Sequence, residues 1–417
     1  MHDALITNNI IRNIKHLLDD IITSKYPIDK KLSYFFKNNK KLNQELRYII
    51  VETVYNFLRY FFTLQKYAKD DNLFTMIGIL WVYILKLDDH KYKFLYLKVI
   101  DFEYIKSIAE NFHVDILELP EWSIDILKKQ YSIDEIKKID NSMRSEASIN
   151  LRINTMKANI KEVAGILKQD NIIAEPTSYS AFGLTIQHKI SLMGHKLFKN
   201  GVIEVQDQSS QIACMILAPR RGDMVVDFCA GAGGKALTLG MLMKNTGRIY
   251  AFDINQKRLD NLIPRLGRSG LSNIHPQVIT SESDTKIKKL YNKIDKVFVD
   301  APCSGFGTLR RSPELKLKHT LSSIKEFNQK QLSILTEASK LLKIGGRLVY
   351  ATCSILTDEN EEIVEQFLTN HPNFQLTTID NTILNLPNFK QNKGYMTLLP
   401  HIHNTDGFFA ALITRVA

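Results

Sequence analysis

The sequence predicts a multidomain protein with an all-α N-terminal domain over residues 1–140, a small α+β unit over 141–200 and an α/β domain over 201–417. Three observations predict it. The 417 residues exceed one ordinary domain. Up to about residue 140 apolar residues recur at helical spacing and glycine is nearly absent, after which short alternating stretches appear. Beyond Gly201 the rhythm becomes strand, glycine-rich turn, helix, and its repetition implies a mostly parallel sheet covered on both faces.

The elements follow in order. Ile11, Ile14, Leu17, Leu18, Ile21 and Ile22 lie on one helical face, as do Leu42, Leu46, Ile49, Ile50, Phe57 and Phe61. Pro120-Glu121-Trp122 and a charged helix ending near Asp140 close this domain, and a linker, Asn141 to Ser148, follows. Leu151 to Thr155 alternates like a strand, Ile160 to Gln169 is helical, and Ser178 to Ser191 alternates again around Gly183. In the last domain Met224 to Phe228 reads as a strand leading through Gly231, Gly233 and Gly234 into a helix from Lys235 to Met243. Arg248 to Phe252, Lys296 to Asp300 and Arg347 to Ala351 read as further strands.

Composition narrows the function classes. Hydrophobic residues at 44% and charged residues at 24% exclude a disordered or fibrous chain. The longest apolar run, Met76 to Leu85, is half of what a bilayer span needs, so no membrane helix is expected. Met1-His2-Asp3 lacks the basic and then apolar pattern of an export signal, and a cytoplasmic location is expected. Lys and Arg number 55 against 44 Asp and Glu, for a net charge of +11. The excess is regional: residues 151–350 hold 30 basic and 16 acidic residues, whereas residues 101–150 hold 6 and 11. Such a field favours a polyanion such as RNA or DNA, with a solvated basic surface as the alternative. The four cysteines, at 214, 229, 303 and 353, are too few for a disulfide scaffold and form no Cys-x-x-Cys pair, so no metal is expected.

Three motifs carry chemistry. Asp227 to Lys235 joins a strand to a helix through glycines that let a ligand approach the backbone at the helix N-terminus. Asp253 ends the next strand, where a carboxylate can accept hydrogen bonds from both hydroxyls of a ribose. Together they suggest an adenosine-containing cofactor. NAD and S-adenosylmethionine both remain open, although the missing Gly-x-Gly-x-x-Gly counts against NAD. The second motif, Asp300 to Gly307, follows the apolar run Val297 to Val299. The third, Tyr350-Ala351-Thr352-Cys353-Ser354, precedes Asp358-Glu359-Asn360-Glu361 at the opening of a helix. Burial is the common fate of a free cysteine, and Cys214 and Cys229 are expected to share it. Cys303 and Cys353 instead stand at strand ends among polar neighbours, where such sheets bind ligands. A thiol beside a methyl donor has a chemical purpose. Carbon 5 of cytosine is too poor a nucleophile to take a sulfonium methyl until a thiolate adds at carbon 6, and a nearby acid such as Asp300 can hydrogen-bond nitrogen 3. A free thiol ionises near pH 8.5, so the site must favour the thiolate.

On these motifs the chain resembles the bacterial ribosomal RNA cytosine carbon-5 methyltransferases of the RsmB (Sun or Fmu) type over nearly its whole length. Leu42 to Arg47 and Val54 to Arg59 resemble that family's NusB-like RNA-binding domain. Pro120-Glu121-Trp122 and Leu151 to Thr155 resemble its linker and the opening of its small α+β RNA-binding subdomain. Val205 to Ser210 is similar to the entry into its Rossmann-like catalytic domain, and Asp406 to Ala410 to its last motif. The resemblance implies that Cys229, Ala230, Gly231, Ala232, Gly233, Gly234 and Lys235 hold the methionine part of S-adenosylmethionine, that Asp253 holds its ribose, and that Asp300 lines the junction of cofactor and base. It implies Cys353 as the nucleophile and Cys303 as the residue of product release, the reverse of the DNA cytosine methyltransferases. The turn reads Cys-Ala-Gly-Ala-Gly-Gly-Lys where the family commonly has Ala-Pro-Gly-Gly-Lys, and the family's adenine-side acid has no clear match in Ile279 to Asp284. Arg310, Arg311 and Lys316 are candidates for RNA phosphate contacts. The expected activity is methylation of carbon 5 of a cytosine in small-subunit (16S) ribosomal RNA by a monomer. The alternatives are a tRNA cytosine methyltransferase and a noncatalytic RNA-binding assembly factor; degenerate cysteines or a broken glycine turn would favour the latter, and neither is seen.

Overall fold

The helical periodicity of the N-terminal region is realised as a bundle whose apolar stripes face inward. In a computed structural model, which describes residues 6–68, 71–186, 190–384, 386 and 394–417, the helix Asn8–Thr23 is capped by the Thr7 hydroxyl and buries Ile11, Ile14, Leu17, Leu18 and Ile21. The helix Gln44–Arg59 is capped by Asn43 and buries Ile49, Ile50, Val54, Phe57 and Leu58. The apolar run from Met76 is core: the helix Leu73–Ile79 continues into a π-helical turn, Leu80–Ile84, and Trp81 is fully buried with its indole N–H donated to Thr53 Oγ1 at 2.9 Å. No helix among the described residues is long and apolar enough to cross a membrane. The charged helix runs from Ile133 to Met143, past the expected end near Asp140, because Ile136, Ile139 and Met143 keep one buried face.

Two compact units emerge, Met1–Ser145 with Leu309–Thr320, and Glu146–Thr308 with Leu321–Ala417. The small α+β region therefore falls in the same unit as the large sheet, and the segment 309–320, expected with that sheet, belongs to the helical unit. Leu317 packs on the helical core, and Glu314 accepts from the Ile28 amide at 3.1 Å. Lys316 is buried, with its ammonium 3.2 Å from Glu118 and 2.8 Å from the Arg59 carbonyl. Glu118 also accepts from the amides of Phe62 and Thr63. This corrects the expectation that Lys316 meets RNA phosphates: a carboxylate already satisfies it inside the fold. Arg310 is likewise only 7% exposed, and its carbonyl accepts from the Arg59 guanidinium.

In the second unit four strands, Ile149–Ile153 (β1), Ala174–Pro176 (β2), Gly183–Ile186 (β3) and Ile203–Val205 (β4), form an antiparallel sheet ordered β2-β3-β1-β4. The helix Ile160–Gln169, closed by an Asn159–Glu162 capping box, buries Val163 and Leu167 in its core. Of the alternating stretch Ser178 to Ser191, residues 187–189 lie outside the described residues.

The large sheet comprises Met224–Asp227 (β5), Arg248–Asp253 (β6), Ile274–Val278 (β7), Ile294–Asp300 (β8), Leu342–Thr352 (β9), Phe374–Leu376 (β10), Tyr395–Leu398 (β11) and Phe408–Arg415 (β12). Its order is β10-β12-β9-β8-β5-β6-β7, with β11 paired to β12. Strands β9, β8, β5, β6 and β7 run parallel, and β12 returns antiparallel against β9. The chain leaves β5 toward β6 on one side and later comes back to β8 on the other. That reversal opens a crevice at the carboxyl ends of β5 and β8, where open α/β sheets bind their ligands.

Candidate active site

The ends of four strands supply the site. Asp227 ends β5, Asp253 ends β6, Asp300 ends β8, and Cys353 follows β9. The turn after β5 is tied to both neighbouring strands, since the Phe228 amide donates to the Phe298 carbonyl and the Ala230 amide to the Phe252 carbonyl, each at 2.8 Å. Gly233 begins the helix Gly234–Leu242 at φ +78°, and a Cβ there would lie 2.1 Å from Leu262. Both the left-handed backbone and the space require glycine. By contrast, nothing lies within 4 Å of where a Cβ on Gly231 would stand.

Asp253 is fixed by backbone amides: Gly231 N–H donates to Oδ2 at 2.8 Å and Asn255 N–H to Oδ1 at 2.7 Å. Its carboxylate retains further lone pairs for a ribose diol. Lys235 reaches across from the glycine turn, its ammonium 2.7 Å from Asp300 Oδ2 and 5.8 Å from the centre of the Phe408 ring. Burial works against the Lys235 charge, but the charge and hydrogen bond of Asp300 outweigh it, and the pKa is raised.

The two thiols meet. Cys303 Sγ lies 3.4 Å from Cys353 Sγ, on loops joined by hydrogen bonds from Ala301 N–H to the Ala351 carbonyl and from Gly307 N–H to the Cys353 carbonyl, both 2.9 Å. The Asp406-Gly407-Phe408 stretch passes directly beneath. Gly407 N–H donates to the Gly307 carbonyl at 2.7 Å, and a Cβ on Gly307 would stand 2.0 Å from the Gly407 carbonyl oxygen. All four cysteines are free. The hydrogen bond to Cys353, then burial, raises the pKa of Cys303, and the charges of Cys353 and Glu359 add to the effect. Burial raises Cys214 and Cys229 as well. No group of three or more His, Cys, Asp or Glu able to hold a metal stands together among the described residues.

The structure thus brings together Cys229 to Lys235, Asp253, Asp300, Cys303 and Cys353. Three participants were not legible as such. Asp227 is fully buried, and neither carboxyl oxygen has a hydrogen-bond partner in ordinary geometry among the described residues. Burial, followed by the charge of Asp300, raises its pKa to about 7 against the pull of Lys235 and the Ala236 amide. Its signal was its place as the acid that begins the glycine motif. Arg265 donates to the Ala232 carbonyl at 2.7 Å while paired to the buried Glu204 at 2.9 Å, bracing the turn from a distant helix. Glu359, in the Asp-Glu-Asn-Glu run, lies behind the thiols.

A doubly wound sheet with a glycine turn, strand-end acids on three neighbouring strands and paired thiols beyond the ends of β8 and β9 defines a Rossmann-like methyltransferase. Family models agree, "16S rRNA methyltransferase RsmB/F" matching residues 214–414 and the "Methyltr_RsmF/B-like, ferredoxin-like domain" matching residues 119–193. The chain belongs to the RsmB/F family of 16S rRNA methyltransferases. It is 31% identical to the "probable ribosomal RNA small subunit methyltransferase B" of Bacillus subtilis, over 70% of this chain and 65% of that one. The Synechocystis protein of the same name is also 31% identical, over 74% of this chain and 70% of its own. A mouse 28S rRNA (cytosine-C(5))-methyltransferase is 32% identical over 63% of this chain and 34% of its own length. Among solved structures, PH0851 matches at TM-score 0.81 and 28% identity, covering 99% of this chain and 100% of that one. NSun6 from Pyrococcus horikoshii, solved with SFG, matches at TM-score 0.65 and 22% identity over 72% of this chain and 98% of that one, a likeness of fold.

Proposed function

We propose that this chain transfers the methyl group of S-adenosylmethionine to carbon 5 of a cytosine in small-subunit ribosomal RNA, with Cys353 as the nucleophile and Cys303 as the residue that assists release. The observation that carries this reading is the pair of thiols 3.4 Å apart at adjacent strand ends, in a sheet whose crevice also holds the Lys235–Asp300 pair. One thiol suffices for attack, and a second in contact with it calls for a second step. The names of the bacterial relatives support the ribosomal substrate, and that of the mouse relative supports the cytosine carbon 5. The N-terminal helical unit is read as the NusB-like RNA-binding domain.

The residues present fit the cofactor. A buried, unsatisfied Asp227 carboxyl suits a ligand ammonium, the open side of Gly231 admits a ligand against the backbone, and Asp253 is oriented for a ribose. Bound S-adenosylmethionine supplies an electrophilic methyl on a sulfonium. Lys235 holds Asp300 at the junction, and the Asp300 carboxylate accepts a hydrogen bond from nitrogen 3 of the base once that nitrogen takes a proton from solvent as carbon 6 is attacked. Cys353 adds to carbon 6, creating the nucleophilic carbon 5. That step also changes its neighbour. The hydrogen bond and charge of Cys353 are among the causes that keep the proton on Cys303, and both end when Cys353 becomes bonded to carbon. Cys303 can then release that proton to solvent and, as the thiolate, take the carbon 5 proton, after which the Cys353 thiolate departs.

The test incubates the purified chain with labelled S-adenosylmethionine and total RNA, followed by digestion to nucleosides. Label in 5-methylcytidine from small-subunit ribosomal RNA is expected. Label in tRNA would move the substrate, and label in a base other than cytosine would overturn the reading.

A further inference from the structure

Behind the two thiols lies a carboxylate that the chemistry above does not use. Glu359 is fully buried in the short 3-10 turn Thr357–Glu359 that follows the Thr-Cys-Ser stretch. Its Oε1 accepts from the Ser304 amide at 2.8 Å and from Gln331 Nε2 at 3.1 Å. Its Oε2 accepts from the Ser304 hydroxyl at 2.5 Å and the Ser354 hydroxyl at 2.6 Å. Ser304 immediately follows Cys303, and Ser354 immediately follows Cys353. A single carboxylate therefore grips the residue after each thiol.

The surroundings leave these bonds little freedom. Each hydroxyl accepts from an amide of its own loop, Phe306 N–H at 3.3 Å for Ser304 and Leu356 N–H at 3.1 Å for Ser354, so each has its proton to give to Glu359. Gln331 also donates to the Pro302 carbonyl at 2.9 Å, and the Tyr350 hydroxyl donates to the Glu359 carbonyl at 2.7 Å. The two serine hydroxyls are 3.4 Å from one another, too far for a strong direct bond. Four donors converge on a group that, when ionised, only accepts. A buried carboxylate is expensive to desolvate, and burial raises the pKa of Glu359 while the serine and glutamine hydrogen bonds oppose the rise. A group retained at such cost between two reactive loops has a positioning purpose.

We infer that Glu359 is a positioning residue, a clamp that holds the Cys303 loop against the Cys353 loop so that release can follow attack. The assignment of attack and release rests on the function proposed above, whereas the clamp is a statement about geometry and is tested separately. An amide at position 359 keeps the shape but presents two protons to a shell made of donors. Alanine leaves all four donors without their acceptor.

The experiment compares the full-length wild type with Glu359→Gln and Glu359→Ala in two measurements. In the first, without RNA, diamide takes one hydrogen from each of two thiols and is reduced to the hydrazine as the sulfur–sulfur bond forms. The Cys303–Cys353 linked peptide is followed by mass spectrometry. Cross-linking is expected to slow about tenfold in Glu359→Ala and by a smaller factor in Glu359→Gln, the scale set by lost hydrogen bonds to a charged group. In the second, with RNA and cofactor, Glu359→Gln is expected to lower kcat about tenfold or more, to leave cofactor affinity unchanged, and to accumulate a protein–RNA adduct on denaturing gels. Wild-type cross-linking rates in both variants would overturn the clamp, as would wild-type kcat in Glu359→Gln. If Glu359→Ala does not fold, Glu359→Gln decides. Slowed cross-linking in a protein that methylates no RNA would leave the clamp standing and remove the function proposed for the site.

Discussion

Asp227→Asn tests a buried acid whose carboxyl oxygens have no hydrogen-bond partner in ordinary geometry among the described residues. In the ligand-free chain the Asp227 pKa is about 7, against an ordinary value of 3.8, with burial as the main cause and the Asp300 charge second. The sign follows directly. A raised folded-state pKa contributes stability that is fully present below about pH 4 and is lost as pH rises through 7, because the unfolded chain ionises this group long before the folded one does. At pH 8 nearly the whole difference of about three pH units, or ~4 kcal/mol, has been lost; at pH 5 about a third of that has. Asparagine carries no such dependence. Relative to wild type, Asp227→Asn should therefore gain about 2–3 kcal/mol between pH 5 and pH 8, an upward shift of roughly 5 °C in the melting transition of the catalytic unit. The assay is thermal unfolding of both proteins at half-unit pH steps without cofactor. Calorimetric titration with S-adenosylmethionine at pH 8 should show weaker binding by the variant, since its amide cannot pair with a ligand ammonium. A stability difference that stays flat from pH 5 to pH 8 would show that Asp227 titrates normally and refute the reasoning.

Four other outcomes follow. Cys353→Ala should abolish methyl transfer while calorimetry shows intact cofactor binding; wild-type turnover would exclude it as the nucleophile. Cys303→Ala should trap a protein–RNA adduct that survives denaturing electrophoresis and disappears in the double variant with Cys353→Ala, whereas an adduct from Cys353→Ala alone would exchange the two roles. RNA affinity should fall steeply with salt, with a slope in log affinity of roughly −0.7 to −0.9 per phosphate contacted; a nearly flat titration would make the basic middle region a solvated surface. Lys316→Ala should destabilise the helical unit by about 3–5 kcal/mol in denaturant melts, because it leaves the buried Glu118 carboxylate without its counter-charge, while leaving the salt slope of RNA binding unchanged.

Local patterns made much of this molecule legible. The stripe of Ile11, Ile14, Leu17, Leu18 and Ile21 is both periodic and buried, and the strand before the glycine turn is a short apolar run between turn residues. Cys303 and Cys353 could be singled out because each stands just beyond a strand, among polar neighbours. What stayed hidden depends on distant partners. Lys316 sits in a stretch as basic as any phosphate-binding loop, and only its carboxylate partner, 198 residues earlier in the chain, makes it a core residue. Asp227 and Glu359 look like ordinary acids near motifs; burial gives each its character, with no partner in ordinary geometry for the Asp227 oxygens among the described residues and several donors for Glu359. The antiparallel return of β12 onto β9 likewise left no local mark, since Phe408 to Ile413 reads as apolar whichever neighbour it pairs.

The membership of Leu309–Thr320 in the helical unit sets a schedule for synthesis. A ribosome that has released residue 145 has not yet supplied Glu314, Lys316 or Leu317, and at about 5–20 residues per second these arrive roughly ten to thirty-five seconds later. Throughout that interval the first-made part of the chain carries Glu118 without its ammonium and a core without Leu317. The part synthesised first is thus completed only after β5 to β8 and the Pro302-Cys303 turn have left the ribosome, so the helical unit reaches its full stability in step with the catalytic motifs and not ahead of them.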